Sequence, residues 1–313
     1  MKRVVFMFPG QGSQDLGMGM SMYQHDEKAK QTIDLANEWL GFDLRGLMFD
    51  GPIEALTETK HAQPALVLTS GVLTAALQAE GVAPVAVLGH SLGEYSALVA
   101  SGSLTLKQAT TLVYQRGLLM EQADPEGKGG MSAVLGLDEK VLEDVLKTTN
   151  NQVEIANLNS PGQIVISGDK KAIDAVTPQL KEQGAKRVIP LAVSGPFHSS
   201  FMKPQAEKFR EVLADITVLP PEVPLLHNVT AQPETEPTEI KERLTEQLYS
   251  KVRFEESIRH LLDHDEIDAF IEVGNKKVLS GLVKKIHRRA RVFQVEDRDT
   301  LTAFVDWYKE DES

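Results

Sequence analysis

The sequence predicts an α/β protein: a mainly parallel sheet carrying a smaller inserted unit of the order βαββαβ. Three observations carry that prediction. Short apolar runs closed by Pro or Gly alternate with helical patterns through the first 120 residues, as parallel strands joined by helices do. A charged cluster of turn formers, Asp124-Pro125-Glu126-Gly127-Lys128-Gly129-Gly130, breaks that rhythm. From there to Ser194-Gly195-Pro196 the elements follow an order of their own, after which mixed α/β resumes.

Taken in order, residues 4–8 (VVFMF, stopped by Pro9-Gly10) read as a buried strand. Helical patterns cover 27–40 and 64–79. Residues 85–88 are the next buried strand, ended by Gly89, and 92–100 have helical composition. A further helix begins near Leu104. Beyond the break, 131–135 reads as a strand and 138–147 as a helix. Residues 153–156 and 163–166 are strands about a Pro161-Gly162 turn, 172–183 a helix and 186–192 a strand. That order is ferredoxin-like and can stand as a compact unit, so 125–194 is expected to be a small domain inserted into a large one at 1–124 and 195–313. The large domain continues with strands at 225–229 and 269–273 and helices at 239–249, 254–263 and 278–289. The acidic tail Lys309-Glu310-Asp311-Glu312-Ser313 is expected to fray.

Composition narrows the function. The 313 residues are 42% apolar and 25% charged, which fits a globular chain with a real core. The net charge of −12 argues against nucleic acid as the main partner. Cysteine is absent, which excludes disulfides, a thiolate nucleophile, Cys-ligated zinc and iron–sulfur clusters. The apolar run after Met1-Lys2-Arg3 is too short for a signal peptide, and no stretch approaches the ~18 residues of a membrane span. A cytoplasmic protein is expected.

Gly89-His90-Ser91-Leu92-Gly93 is a G-x-S-x-G pentapeptide between a strand and a helix. Glycines allow a sharp turn that lifts the Ser91 hydroxyl above the sheet, while the helix N-terminus offers N–H groups to an oxyanion. A plain helix-capping serine is the alternative. Ser91 needs a base. His90 should point away from it. His260 and His264, four apart, have the spacing of a metal pair but lack the adjoining Glu, and a solvated face is the better reading. His198 follows a strand and the turn Ser194-Gly195-Pro196-Phe197 at the domain junction, so it is either the base or a surface loop histidine. Asp138, Asp144, Asp169 and Asp174 fall where a triad acid would lie, and none stands out.

Arg116 sits in the middle of an apolar stripe formed by Ala109, Leu112, Val113, Gly117 and Met120. A guanidinium there needs an anion, either an internal Asp or Glu or a carboxylate on the substrate. The loop Pro9-Gly10-Gln11-Gly12-Ser13-Gln14 lacks the Gly-Lys-Ser/Thr ending of a phosphate loop. Beside an elbow serine it suits a second oxyanion N–H, with a tight turn as the alternative.

Gly10-Gln11-Gly12-Ser13-Gln14, Gly89-His90-Ser91-Leu92-Gly93-Glu94, Arg116 with Met120, Gly195-Pro196-Phe197-His198 and Gln247-Leu248-Tyr249 occur in that order. Together they resemble the malonyl-CoA:acyl carrier protein transacylases of bacterial fatty acid synthesis, over nearly the whole chain. The resemblance implies a hydrolase-like α/β core with a ferredoxin-like insertion. It implies ping-pong transfer of malonyl from malonyl-CoA to the phosphopantetheine thiol of holo acyl carrier protein. Ser91 would be the nucleophile, His198 the base and acid, and the N–H groups of Gln11 and Leu92 the oxyanion hole. Arg116 would bind the malonyl carboxylate, with Met120 and Phe197 beside the substrate. The Gln247 carbonyl would orient His198 in place of an acid. Lys186-Arg187 matches a basic pair associated with CoA phosphates. Lys251 and Asn275-Lys276 depart from the usual pattern, where Pro and Pro-Gly are common. No cofactor, metal, nucleic acid or membrane partner is expected, and a monomer is. The basic stretch from Lys276-Lys277 through Lys284-Lys285 and Arg288-Arg289 to Arg291 is either a docking surface for an acidic carrier protein or solvated helix surface. A serine hydrolase and a non-catalytic binding module are the competing readings.

Overall fold

The computed structural model describes residues 2–310; Met1 and, of the acidic tail, Asp311, Glu312 and Ser313 lie outside the described residues. The strands are β1 (Val4–Phe8), β2 (Pro84–Gly89), β3 (Gly129–Leu135), β4 (Val153–Ser160), β5 (Gln163–Asp169), β6 (Arg187–Pro190), β7 (Leu225–Leu226), β8 (Pro233–Glu234), β9 (Ala269–Val273) and β10 (Val292–Val295). They form a six-stranded sheet in the order β10-β9-β1-β2-β7-β8 and a four-stranded sheet in the order β4-β5-β3-β6. The first is parallel except for the β7–β8 hairpin, and the second is antiparallel throughout.

β1 shows why its run of five apolar residues lacks alternation. It is central and covered on both faces. Val4, Phe6 and Phe8 pack with Leu66, Leu73 and Leu98 on one face. Val5 and Met7 pack with Phe254, Ile258 and Leu282 on the other. The small sheet has a core of its own, in which Val134, Ile164 and Ile166 meet Leu142, Ile173 and Leu180 from its two helices. Asp138 and Asp169 cap those helices, accepting from Lys140 N at 2.9 Å and Ala172 N at 2.9 Å. Asp124 closes the turn before β3, taking the N–H groups of Lys128 at 2.9 Å and Gly129 at 2.6 Å.

Several elements differ from expectation. The strand expected at 225–229 ends at Leu226, because His227 and Asn228 turn inward to bond buried groups. The strand expected at 153–156 runs on to Ser160 through two irregular registers, its Asn157 and Asn159 disguising it. The helix expected at 64–79 starts at Thr59 and carries Pro64 inside it. The helices expected at 239–249 and 278–289 end at Gln247 and Ile286. The helix Lys203–Ala214, strand β10 and the helix Arg298–Lys309 were not anticipated, and Lys309 of the expected frayed tail is helical.

Candidate active site

β1 and β2 run parallel side by side with Phe8 opposite Gly89, so the loops leaving them emerge together. The elbow after β2 is tight. Ser91 takes φ 51°, a left-handed conformation that costs a non-glycine residue roughly 1–3 kcal/mol. Its flanking glycines are sterically required. A Cβ on Gly89 would stand 1.9 Å from the Gly93 carbonyl carbon, and one on Gly93 would stand 2.0 Å from the Phe8 oxygen.

Ser91 Oγ lies 2.7 Å from His198 Nε2, and His198 Nδ1 lies 2.7 Å from the Gln247 carbonyl oxygen. A carbonyl only accepts, so Nδ1 carries the hydrogen and Nε2 is left to take the serine proton. Burial, reinforced by the Arg116 charge, pushes the His198 pKa down to about 3, so the ring is neutral at neutral pH. Among the described residues no carboxylate backs this histidine. Asp138 and Asp169 cap helices, Asp144 pairs with Lys147 at 2.6 Å, and Asp174 is exposed. His90 points away as expected, its Nε2 2.7 Å from Asn159 Oδ1.

The backbone N–H groups of Gln11 and Leu92 have no acceptor among the described residues, and both residues line the cavity above Ser91. The Gln11 side chain is anchored away from it, donating to Thr59 Oγ1 at 3.0 Å. Two free N–H groups on adjacent loops beside a serine oxygen can hold an oxyanion.

Arg116 is 1% exposed. Its Nη1 donates to Gln63 Oε1 at 2.9 Å, and its Nη2 donates to Gln247 Oε1 at 2.9 Å and to Ser91 Oγ at 3.2 Å. The guanidinium lies over the Tyr95 ring at 5.4 Å, and Nε has no partner. No carboxylate pairs with it among the described residues, so the internal salt bridge considered from sequence is absent. Burial lowers its pKa, with Tyr95 and Glu94 acting in the opposite direction.

The cavity holds about 310 Å³ between the strand ends of the large sheet and one face of the small one. Met120 and Phe197 line it, as do Met131, Asn159 and Leu282; Met120 Sδ accepts from Gln63 Nε2 at 3.3 Å. Lys186 and Arg187 do not. They are exposed, Lys186 just before β6 and Arg187 at its start, outside this lining. His260 and His264 stack on each other at 4.4 Å. Sequence reasoning missed Gln63, Asn159 and the buried group Glu94, His227 and Asn228. Only Glu94 left a signal, as a carboxylate in an otherwise apolar helical segment.

The chain matches the family model of the acyl transferase domain over residues 5–302. It is 49% identical over 314 residues to a malonyl CoA-acyl carrier protein transacylase of Bacillus subtilis (strain 168), covering 99% of each chain. A protein of the same description from Staphylococcus aureus is 42% identical, with 99% of this chain and 100% of that one covered. Among solved structures, an acyl carrier protein S-malonyltransferase from Vibrio cholerae superposes with a TM-score of 0.93 at 41% identity, over 97% of this chain and 100% of that one. A malonyl-transacylase in complex with a type II PKS acyl-carrier protein gives 0.94 at 39%, over 97% and 99%.

Proposed function

The chain belongs to the acyl transferase domain family, and we propose on that footing that it moves malonyl from malonyl-CoA to the phosphopantetheine thiol of acyl carrier protein, through a malonyl-serine on Ser91. One observation carries the choice of acyl group: a buried guanidinium without a carboxylate partner, 3.2 Å from the nucleophilic oxygen. A malonyl group attached to Ser91 would bring its free carboxylate to that place.

In the proposed cycle Nε2 of His198 takes the Ser91 proton as Oγ attacks the thioester carbon. The tetrahedral oxyanion is held by the N–H groups of Gln11 and Leu92. Collapse breaks the C–S bond, and the CoA thiolate leaves with the proton from His198. The carrier thiol then gives its proton to His198 and attacks the malonyl ester; collapse breaks the ester C–O bond, and Ser91 Oγ leaves with the proton from His198. The Gln247 carbonyl keeps the imidazole in the useful tautomer. Met120 and Phe197 bound the acyl pocket. Lys186 and Arg187, away from the cavity, would meet only the distal phosphates of CoA.

We take residues 125–194 as the small domain, inserted into a large one at 1–124 and 195–313, and the enzyme as a cytoplasmic monomer. Among the described residues no helix is long and apolar enough to cross a membrane. The test against hydrolysis is the fate of the acyl-enzyme. Malonyl-Ser91 should persist in buffer and clear when holo acyl carrier protein is added. Clearance by water at the same rate would make the chain a hydrolase, and failure to acylate a non-catalytic module.

A further inference from the structure

Glu94 is a fully buried carboxylate that the transfer chemistry does not use. It stands in the first turn of the helix Gly93–Ala100, three residues after the nucleophile. One oxygen, Oε1, accepts from Nδ1 of His227. The other, Oε2, accepts from the Asn228 N–H at 3.1 Å and from Gln247 Nε2 at 2.7 Å. His227 Nε2 is buried without a partner. A hydrogen on Nε2 would be a buried N–H without an acceptor, so the ring's hydrogen sits on Nδ1 and is donated to the Glu94 carboxylate.

Two branches leave this carboxylate. Asn228 donates to the Gly89 carbonyl at 2.6 Å and accepts from the Ser91 N–H at 2.7 Å, holding the strained elbow. Gln247 turns the charge into an orientation. Its Nε2 donates to Glu94 and, at 3.0 Å, to the Ser91 carbonyl, so its Oε1 faces the other way and accepts from Arg116 Nη2. An amide placed between an anion and a cation is polarised by both.

We propose that Glu94 is the resident counter-charge of Arg116, held one amide away through Gln247: a positioning residue that fixes the guanidinium fork beside Ser91 while leaving it open to an acyl carboxylate. A carboxylate in direct contact would compete with the substrate, and none at all would leave a buried cation uncompensated. The counter-charge concerns the free enzyme; its meaning for specificity rests on the substrate role proposed above for Arg116.

The experiment is a thermal-melting cycle on the full chain: wild type, Glu94→Gln, Arg116→Gln and the double variant. Glutamine at 94 keeps the shape and can still accept from Asn228 and Gln247. The expected result is that Glu94→Gln melts below wild type and that adding Arg116→Gln restores roughly 2 °C or more. Should Glu94→Gln alone not accumulate folded, recovery of folded protein in the double variant is the same result. Losses that simply add overturn the counter-charge. The second arm loads Ser91 of Glu94→Gln from malonyl-CoA or acetyl-CoA. Malonyl supplies the missing anion, so it should raise the melting temperature more than in wild type, and acetyl should not. A restored double variant with equal malonyl and acetyl shifts would overturn the substrate role of Arg116 and leave the counter-charge standing.

Discussion

Arg116→Ala removes the group that separates a charged acyl chain from an uncharged one. Leaving a buried charge without its partner costs roughly 3–5 kcal/mol, so malonyl transfer should fall by about 10²–10⁴-fold while acetyl loading is retained or rises. Steady-state kcat/KM with both thioesters measures it, and unchanged malonyl kinetics would remove Arg116 from the site. The same charge sets the pH behaviour of His198. Burial first and Arg116 second hold its pKa at about 3. The acid limb of kcat/KM should therefore lie below about pH 5, well under the ordinary histidine range, and Arg116→Ala should move it upward. Stability follows with a definite sign. An unfolded chain protonates its histidines near the ordinary value of about 6.5, and the folded one, with His90 and His198 both lowered, does not. Stability should fall as the pH drops below about 6.5 toward the folded value. Ser91, His198 and Arg116 were legible as single residues because each breaks its local pattern: an elbow, a junction histidine, a charge on an apolar stripe. Gln63, Asn228 and His227 break none. Gln63 meets Arg116 across 53 residues, His227 meets Glu94 across 133 and Asn228 meets Gly89 across 139, which no local pattern records.

At the scale of elements the elbow is the feature that most constrains the chain. The strand-to-helix turn works only because Gly93 lies against the Phe8 carbonyl. Gly93→Ala would force its Cβ to 2.0 Å from that oxygen, whereas Gly281, inside the helix Val278–Ile286, has nothing within 4 Å of the same atom. Gly93→Ala should abolish activity and destabilise by several kcal/mol, while Gly281→Ala should stabilise by about 0.5–1 kcal/mol. Thermal melting of the two variants side by side checks both signs. β1, β2 and the βαββαβ order could be read from the sequence because apolar runs, capping residues and turn formers mark them locally. β4 was cut short because its outer half carries Asn157 and Asn159, which face a cavity and not the core. β7 is shorter than the pattern at 225–229 suggests because His227 and Asn228, between apolar neighbours, turn inward to buried polar partners. β10 and the helix Arg298–Lys309 are weakly marked in the sequence, because the four-residue strand carries Gln294 inside it and polar and charged residues make up half of the helix.

For the whole molecule, the net charge of −12 makes the location of positive charge the informative quantity. The helix Val278–Ile286 puts Leu279 and Leu282 on the cavity and carries Lys284 and Lys285 in its last turn, while Arg291 lies over Trp307 at 5.2 Å. Reversing Lys284, Arg288 and Arg289 together should raise the KM for acyl carrier protein several-fold, increasingly so at low salt, and leave acylation by malonyl-CoA unchanged. Equal loss in both half-reactions would mean damage to the fold. The small sheet is also fixed to the site. β4 bonds the segment after Gln247, with Leu158 N on the Val252 carbonyl at 2.8 Å and Val252 N on the Ala156 carbonyl at 2.8 Å. Lys251 adds an ion pair to Glu139 at 2.7 Å. With no cysteine in the sequence an acyl-enzyme cannot form on sulfur, and the proposed cycle places it on the Ser91 oxygen. Intact-protein mass spectrometry after mixing with malonyl-CoA, with Ser91→Ala alongside, measures it directly. The wild type should gain one malonyl mass and the variant none. No gain in the wild type, or an equal gain in both, would contradict the account.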